Sequence, residues 1–294
     1  MKKFLCSLIV IVIAAFCFHF QAAALEKRVI TLGFLEKLNS TEEFFAQEWQ
    51  KSFAPNNELL EVRVKFYPNL NALQMALNAG EIQHIVLPEV TAEYLMNQNP
   101  EYESVLVLHS SGMGLAFGFS AGNQELRQKF SEAIITLKNN WTLPAIEGMY
   151  LTSSGKNAPK PVEFAHFDGA PVIRAAVTGD IPPVDFMADD GTPAGFSTAV
   201  LAEIGKLLGV NIELMNVESA ARSSALASER ADVVFWYEVV KGADNQPDIP
   251  EGVIVSEPYY EWEKFIHIKK KPAKDNSWGW NIFNRDFLDF YIHN

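Results

Sequence analysis

TGDIPPVDFMADDGTPAGFSTAVLAEIGKLLGVNIELMNV, Thr178 to Val217, is the stretch from which the fold can be read. A Gly-Asp-Ile-Pro-Pro turn leads into an acidic Asp-Asp-Gly turn. Gly195 to Leu208 then carries apolar residues at helical spacing and stops at Gly209, the residue type that helix ends favour. Val210 to Met215 resumes as a strand. Upstream, Val172 to Val177 is an apolar run of strand length; downstream, Ala220 to Ser228 reads as a helix and Ala231 to Tyr237 as a strand. Val253 to Ser256 and Lys264 to Lys269 finish the sheet. Strands alternating with helices of this length predict βαβ units around a mainly parallel sheet.

The first half of the chain carries the same grammar. Val29 to Phe34 is a strand, and Ser40-Thr41-Glu42-Glu43 opens a helix to Phe53 with the pattern of a capping box. Val62 to Phe66 alternates as a strand, Asn69 to Ala79 is helical up to Gly80, Ile82 to Leu87 is a strand, and Glu89 to Asn97 is a helix. Two further strands, Val105 to Leu108 and the glycine-rich Gly112 to Phe119, precede helices at Asn123 to Asn139 and Leu143 to Tyr150. From Thr152 to Pro171 the chain turns to Ser, Gly and Pro without periodicity, which reads as a linker between two α/β blocks. No repeat of 20 to 50 residues is visible, which argues against a solenoid.

The N-terminus sets the compartment. Lys2 and Lys3 precede a run from Phe4 to Phe20 without Lys, Arg, Asp or Glu, and Ala22-Ala23-Ala24 follows, the order of a secretory leader cut after Ala24; an uncleaved anchor is the alternative. Phe16 before Cys17 does not suit a lipid-anchored leader. Both cysteines, Cys6 and Cys17, fall inside the leader, so the remaining 270 residues need no disulfide in an oxidising compartment. Losing Lys2 and Lys3 takes the net charge from −12 to −14, which disfavours nucleic acid and anionic lipid as partners.

Spaced motifs carry a resemblance. Thr178 to Val217, then Leu226, Ala231-Asp232-Val233-Val234 and Ser256-Glu257-Pro258-Tyr259-Tyr260, resemble in order the opening lobe of the family 3, amino-acid-type periplasmic solute-binding proteins. ALNAGEIQHIVLPEVTAEYLMNQNPEY, Ala76 to Tyr102, resembles that family's second lobe. Gly112 to Phe119 is similar to its return strand, and Asn123 to Tyr150 to its closing helices. The resemblance implies a two-lobed type II fold with the lobes in swapped order, a circular permutation joined by the linker. It divides the chain into a leader (1–24), a second-lobe-like domain (25–111), return strand and closing helices (112–150), linker (151–170), first-lobe-like domain (171–262), and a crossing strand with an aromatic tail (263–294).

The implied function is to deliver a small-molecule solute, by lobe closure, to the membrane permease of an ABC-type transporter. The protein would be a periplasmic monomer with no cofactor and no nucleic-acid partner. A sensor, or a partner-binding protein that has lost small-molecule binding, is the alternative on the same fold.

Three positions fix an α-amino acid in the family, and the resemblance places different residues at each. Ile181 stands where an aromatic stacks, Pro88 where an aspartate takes the ammonium, and the neighbourhood of Asp244 where an arginine grips the carboxylate. The expected solute is therefore not a standard α-amino acid. Ser40 and Thr41 start a helix where free N–H groups suit an anion or form a plain cap. Glu42, Glu89 and Glu238 suit a cationic or polyhydroxylated solute, or are solvated carboxylates. Trp236 and Tyr237 line or fill the cleft, and Asp185 is a further candidate in the turn.

Catalytic signals are weak. The histidines after the leader, at 84, 109, 166, 267 and 293, form no H-x-x-x-H pair, and there is no G-x-S-x-G motif. A dehydratase, known on this fold, would need the missing arginine.

Overall fold

The apolar runs predicted as strands form the centre of the molecule, because strands covered on both faces must be apolar throughout. A computed structural model describes residues 27–53, 59–152, 162–188, 191–240 and 248–272. The elements are β1 (Arg28–Leu35), α1 (Glu42–Phe53), β2 (Leu60–Tyr67), α2 (Leu70–Ala79), β3 (His84–Pro88), α3 (Glu89–Gln98) and β4 (Tyr102–Ser120). There follow α4 (Gln124–Asn139), α5 (Thr142–Tyr150), β5 (Val172–Val177), β6 (Asp180–Ile181), β7 (Asp185–Met187), β8 (Pro193–Ala194) and α6 (Phe196–Leu208). The chain continues through β9 (Asn211–Asn216), α7 (Arg222–Ala227), β10 (Val233–Val240), β11 (Val253–Val255) and β12 (Tyr260–Lys270).

Two sheets of one pattern are fused through two shared strands. In the leading lobe the order is β2-β1-β3-β12-β4, with β1 parallel to β2 and β3, and β12 antiparallel to β3. The trailing lobe repeats that plan as β9-β5-β10-β4-β11, with β5 parallel to β9 and β10, and β4 antiparallel to β10. Sequence reading divides β4 in two at His109 to Ser111; in the structure it is one strand of 19 residues. Its first half pairs with β12 at Lys264 to Lys270, and its second half with β10 and β11. The start of β12, Tyr260 to Trp262, pairs with Met113 to Leu115, and the register shifts before Lys264. Strands β4 and β12 thus cross together from one lobe to the other, and the fold is mixed α/β and two-lobed.

Gly114 is required at that crossing. A Cβ there would lie 2.2 Å from the Tyr260 carbonyl oxygen, a backbone atom with no room to retreat.

Each lobe has its own apolar interior. Leu32, Leu73, Ile85 and Ile268 are fully buried in the leading lobe; Phe117, Phe119, Phe130, Phe196 and Val233 are so in the trailing lobe. Phe130 of α4 meets Phe117 and Phe119 edge-on, with centroids 5.3 and 5.1 Å apart, so α4 covers the trailing lobe; α5 packs with it against α6. Helix ends follow their local chemistry. Asn69 caps α2 by accepting from the Ala72 N–H at 2.9 Å, and α2 and α6 end at Gly80 and Gly209 in the left-handed region.

The last part of the predicted linker, 162–171, has no regular structure and is stitched to β9. The Asn211 side chain accepts from the Phe167 N–H at 2.8 Å and donates to the Phe167 carbonyl at 2.9 Å. The leader, the start of the linker, Asp244 and the aromatic tail lie outside the described residues. No helix among the described residues is long and apolar enough to cross a membrane.

Candidate functional site

The lobes face each other where β1, β3, β5 and β10 end, since parallel sheets place their clefts beyond the carboxyl ends of strands. In the trailing lobe, β5 runs into the Thr178 to Val184 turn. There Asp185, 2% exposed, accepts from the Thr178 N–H and hydroxyl, both at 2.9 Å, through Oδ2. Its Oδ1 is buried without a hydrogen-bond partner, and so is Oδ1 of the neighbouring Asp180. Burial pushes both carboxyls up, Asp185 to about 6.

Arg222 at the start of α7 is buried beside them. Its guanidinium stacks over the Trp236 ring at 4.7 Å and donates to the carbonyls of Ser219 at 3.0 Å and Phe235 at 3.4 Å. Burial pulls it below the usual arginine range, while Asp248, Asp180 and Asp185 oppose that shift. Trp236 is 1% exposed and its indole N–H has no partner among the described residues. Gly118 of β4 makes room for it, since a Cβ there would lie 2.9 Å from the ring.

Successive side chains of β10 point to opposite faces. Tyr237 therefore turns away from Trp236, against Trp262 at 5.3 Å, and shares a 2.9 Å hydrogen bond with Thr91 of α3 in the other lobe. At Glu238 the β10 register shifts and φ is +64°, a conformation that non-glycine residues adopt at a cost and that recurs at functional sites. The Glu238 carboxylate pairs with the ammonium of Lys37, which follows β1 in the leading lobe; both side chains are buried. The Lys37 ammonium also lies 5.8 Å from the Phe45 ring centre. Asp248, buried and with its carboxyl pushed up by burial, accepts from the N–H groups of Leu38 at 2.6 Å and Asn39 at 3.2 Å. The cleft is thus crossed by an ion pair, two backbone N–H bonds and a tyrosine–threonine bond.

The other sequence candidates have local partners. Thr41 caps α1, its hydroxyl accepting from the Phe44 N–H at 3.2 Å. Ser40 is half-buried just before that helix. Glu42 accepts from the Phe66 N–H at 2.7 Å and ties α1 to the end of β2, while Glu89 pairs with Lys264 of β12 at 3.0 Å. Ile181 is core, and Pro88 ends β3 fully inside the protein. The structure gathers Asp185, Trp236, Tyr237 and Glu238 around the trailing half of the cleft; it leaves Thr41, Glu42 and Glu89 in leading-lobe contacts.

Sequence reading missed Lys37, Asp180, Arg222 and Asp248. Lys37 lies in a strand-to-helix connection and Arg222 in an alanine-serine helix, where solvated charges are common. Nothing in spacing separates them from surface residues. A cavity of about 620 Å³ opens beside the crossing, lined by Asn39, Gln124, Arg127 and the stretch from Ile249 to Val255.

Residues 173–286 match the model of the bacterial extracellular solute-binding proteins, family 3. That match covers less than half of the chain. The two lobes joined by two crossing strands agree with the two-lobed fold expected from the sequence. No curated protein sequence matches the chain.

Solved structures are similar only distantly. An ABC transporter periplasmic substrate-binding protein from Coxiella burnetii is 12% identical, over 84% of this chain and 87% of that one, with a TM-score of 0.41. A zinc-bound ligand-binding component of an ABC-type import system from Staphylococcus aureus is 13% identical, over 83% of this chain and 66% of that one, with a TM-score of 0.40. The chain therefore spans just under two thirds of the length of that protein. CbnR, a LysR family transcriptional regulator, is similar to the same degree, 12% identical over 87% of this chain and 68% of that one, with a TM-score of 0.41.

Proposed function

We propose that the protein receives a small solute between its lobes and hands it to the membrane permease of an ABC-type transporter. The observation that carries this reading is the set of buried polar atoms left unpaired on the cleft side of the trailing lobe: Asp180 Oδ1, Asp185 Oδ1 and the Trp236 indole N–H. Unpaired buried polar groups are costly, and a ligand or water that pairs them recovers that cost. Carboxyl oxygens outnumber donors there, so a solute presenting N–H or O–H groups fits better than a carboxylate. This agrees with the loss of the family's α-amino-acid grip at Ile181 and Pro88.

The rest of the reading concerns setting. The leader at 1–24 exports the chain to the periplasm and is cleaved there, and the protein acts as a monomer. The family match begins only at residue 173, which supports a permuted order with the family's opening lobe encoded second. The bonds that cross the cleft favour a second reading, a partner-binding protein that no longer takes a solute.

Thermal unfolding against a panel of amines, polyols, sugars, amino acids and organic acids tests the first reading. A solute that binds only the folded state raises Tm, and does so further as its concentration climbs above its Kd. A panel without any shift would remove the transport role.

A further inference from the structure

Lys37, Leu38 and Asn39 belong to the leading lobe but are held by the trailing lobe as a ligand would be. The Lys37 ammonium is paired with Glu238, near Asp248 and the Phe45 ring. The Leu38 side chain packs against the small apolar cluster that includes Leu226, Val234 and Trp236. The Leu38 and Asn39 N–H groups share the Asp248 carboxylate, and the Asn39 amide donates to the Ile249 carbonyl at 3.4 Å. Charge, backbone and apolar side chain are therefore all recognised at once.

The charge balance of the trailing lobe says what this segment replaces. Asp180, Asp185 and Asp248 lie within electrostatic reach of Arg222, and Glu238 within reach of Asp248; among the described residues Arg222 is the one buried arginine or lysine of that lobe. Arg222 is spent on two backbone carbonyls and the Trp236 ring. Without Lys37, Glu238 would be a buried carboxylate with no cation on it, held there by a strained backbone.

We propose that Lys37 is a tethered occupant of the solute site, and that the site's solutes are alkyl primary amines whose ammonium group displaces that of Lys37 from Glu238. The idea rests on the solute-binding reading. An alkyl ammonium matches the subsite because its compact charge donates hydrogen bonds to carboxylates on one side, while its stem lies against apolar and aromatic surface. Lobe opening and solute entry are then the same event, because the amine competes with the bond that shuts the cleft.

The test compares the full chain with Lys37→Ala by calorimetric titration and thermal unfolding, using n-butylamine and 1,4-diaminobutane as probes. Tetramethylammonium, butyrate and sodium chloride of equal ionic strength are controls. The Lys37→Ala protein should bind the two amines at least tenfold more tightly than the unaltered chain and regain Tm in them, but not in the controls. Lys37→Met, whose side chain fills the stem channel without charge, should lose Tm and regain none of it with amines. If Lys37→Ala is too unstable to purify folded, its refolding yield should depend on butylamine and not on sodium chloride.

Equal amine affinity with and without Lys37, or stabilisation equal to that by the salt controls, overturns the proposal. Amine binding by Lys37→Ala, while the unaltered chain takes nothing from any panel, keeps the tethered occupant and removes the transport role. A solute bound equally well by both proteins does the reverse.

Discussion

The two lobes share a strand plan and differ in what they bring to the cleft. On the leading side, Thr41 caps its own helix, Glu42 holds a strand end, Glu89 pairs with Lys264, and Pro88 offers no charge. The trailing side buries Asp185, Arg222, Trp236, Glu238 and Asp248 and half-buries Asp180, with Oδ1 of Asp180 and Asp185 and the Trp236 indole N–H unpaired. The charged groups at the cleft are therefore concentrated in the trailing lobe, and the leading lobe sets the short loop of Lys37 to Asn39 against them. Two copies of one βαβ plan diverge in this way because sheet order is set by apolar strands, whereas cleft chemistry depends on a few loop residues.

Substitutions can separate these contributions. The largest effect is expected in the trailing core, where Phe117→Ala should cost about 3–5 kcal/mol in urea unfolding, since it removes a fully buried ring packed against Phe130, Phe235 and Tyr259. Because β4 and β12 run through both sheets, that loss should appear in one transition reported by both lobes. Two separate transitions would show that the lobes are stable independently. Next comes the bond between the lobes. Glu238→Ala should cost about 3 kcal/mol or more, since it strands a buried ammonium, and Lys37→Met with Glu238→Leu should recover much of it. A double variant as unstable as the single one would mean that the segment holds by Leu38 and Asp248 alone.

Acidity should set the lobes against each other. In the leading lobe, burial and the neighbouring His84 hold His267 well below its usual range. The unfolded chain takes up this proton as pH falls below about 6.5 and the folded one does not, so His267 subtracts stability on the acid side. Asp185 in the trailing lobe is raised to about 6. Its unfolded form ionises from about pH 4 upward and its folded form only near 6, so its contribution is present at low pH and is lost as pH rises through that window. The shift corresponds to roughly 2–3 kcal/mol. Asp185→Asn should flatten the loss between pH 4 and 6 in a Tm profile, and His267→Leu the loss below 6.5. A profile unchanged by either would contradict this division.

The smallest effect is at the second crossing. Tyr237→Phe removes the hydroxyl bonded to Thr91 and should cost about 1 kcal/mol, because Thr91 is fully buried and loses its partner. An equal loss from Thr91→Val, with no further loss in the double variant, would locate the energy in that bond.

The sequence by itself determined the strands, the helices and the fold class. Apolar period, Gly80 and Gly209 at helix ends, and Asn69 as a cap are local signals that a single chain displays. It also singled out Trp236 and Tyr237 at the end of a predicted strand and Glu238 just after it, all of which lie within β10. Only the tertiary structure decided that β4 is one strand, since β12, about 150 residues away in sequence, pairs with it on both sides of His109 to Gly112. The structure alone also joined Lys37 to Glu238 and Asn39 to Asp248, pairs about 200 residues apart. Periodicity and capping are properties of neighbours along the chain, whereas a buried charge is recognised only by what the fold brings against it.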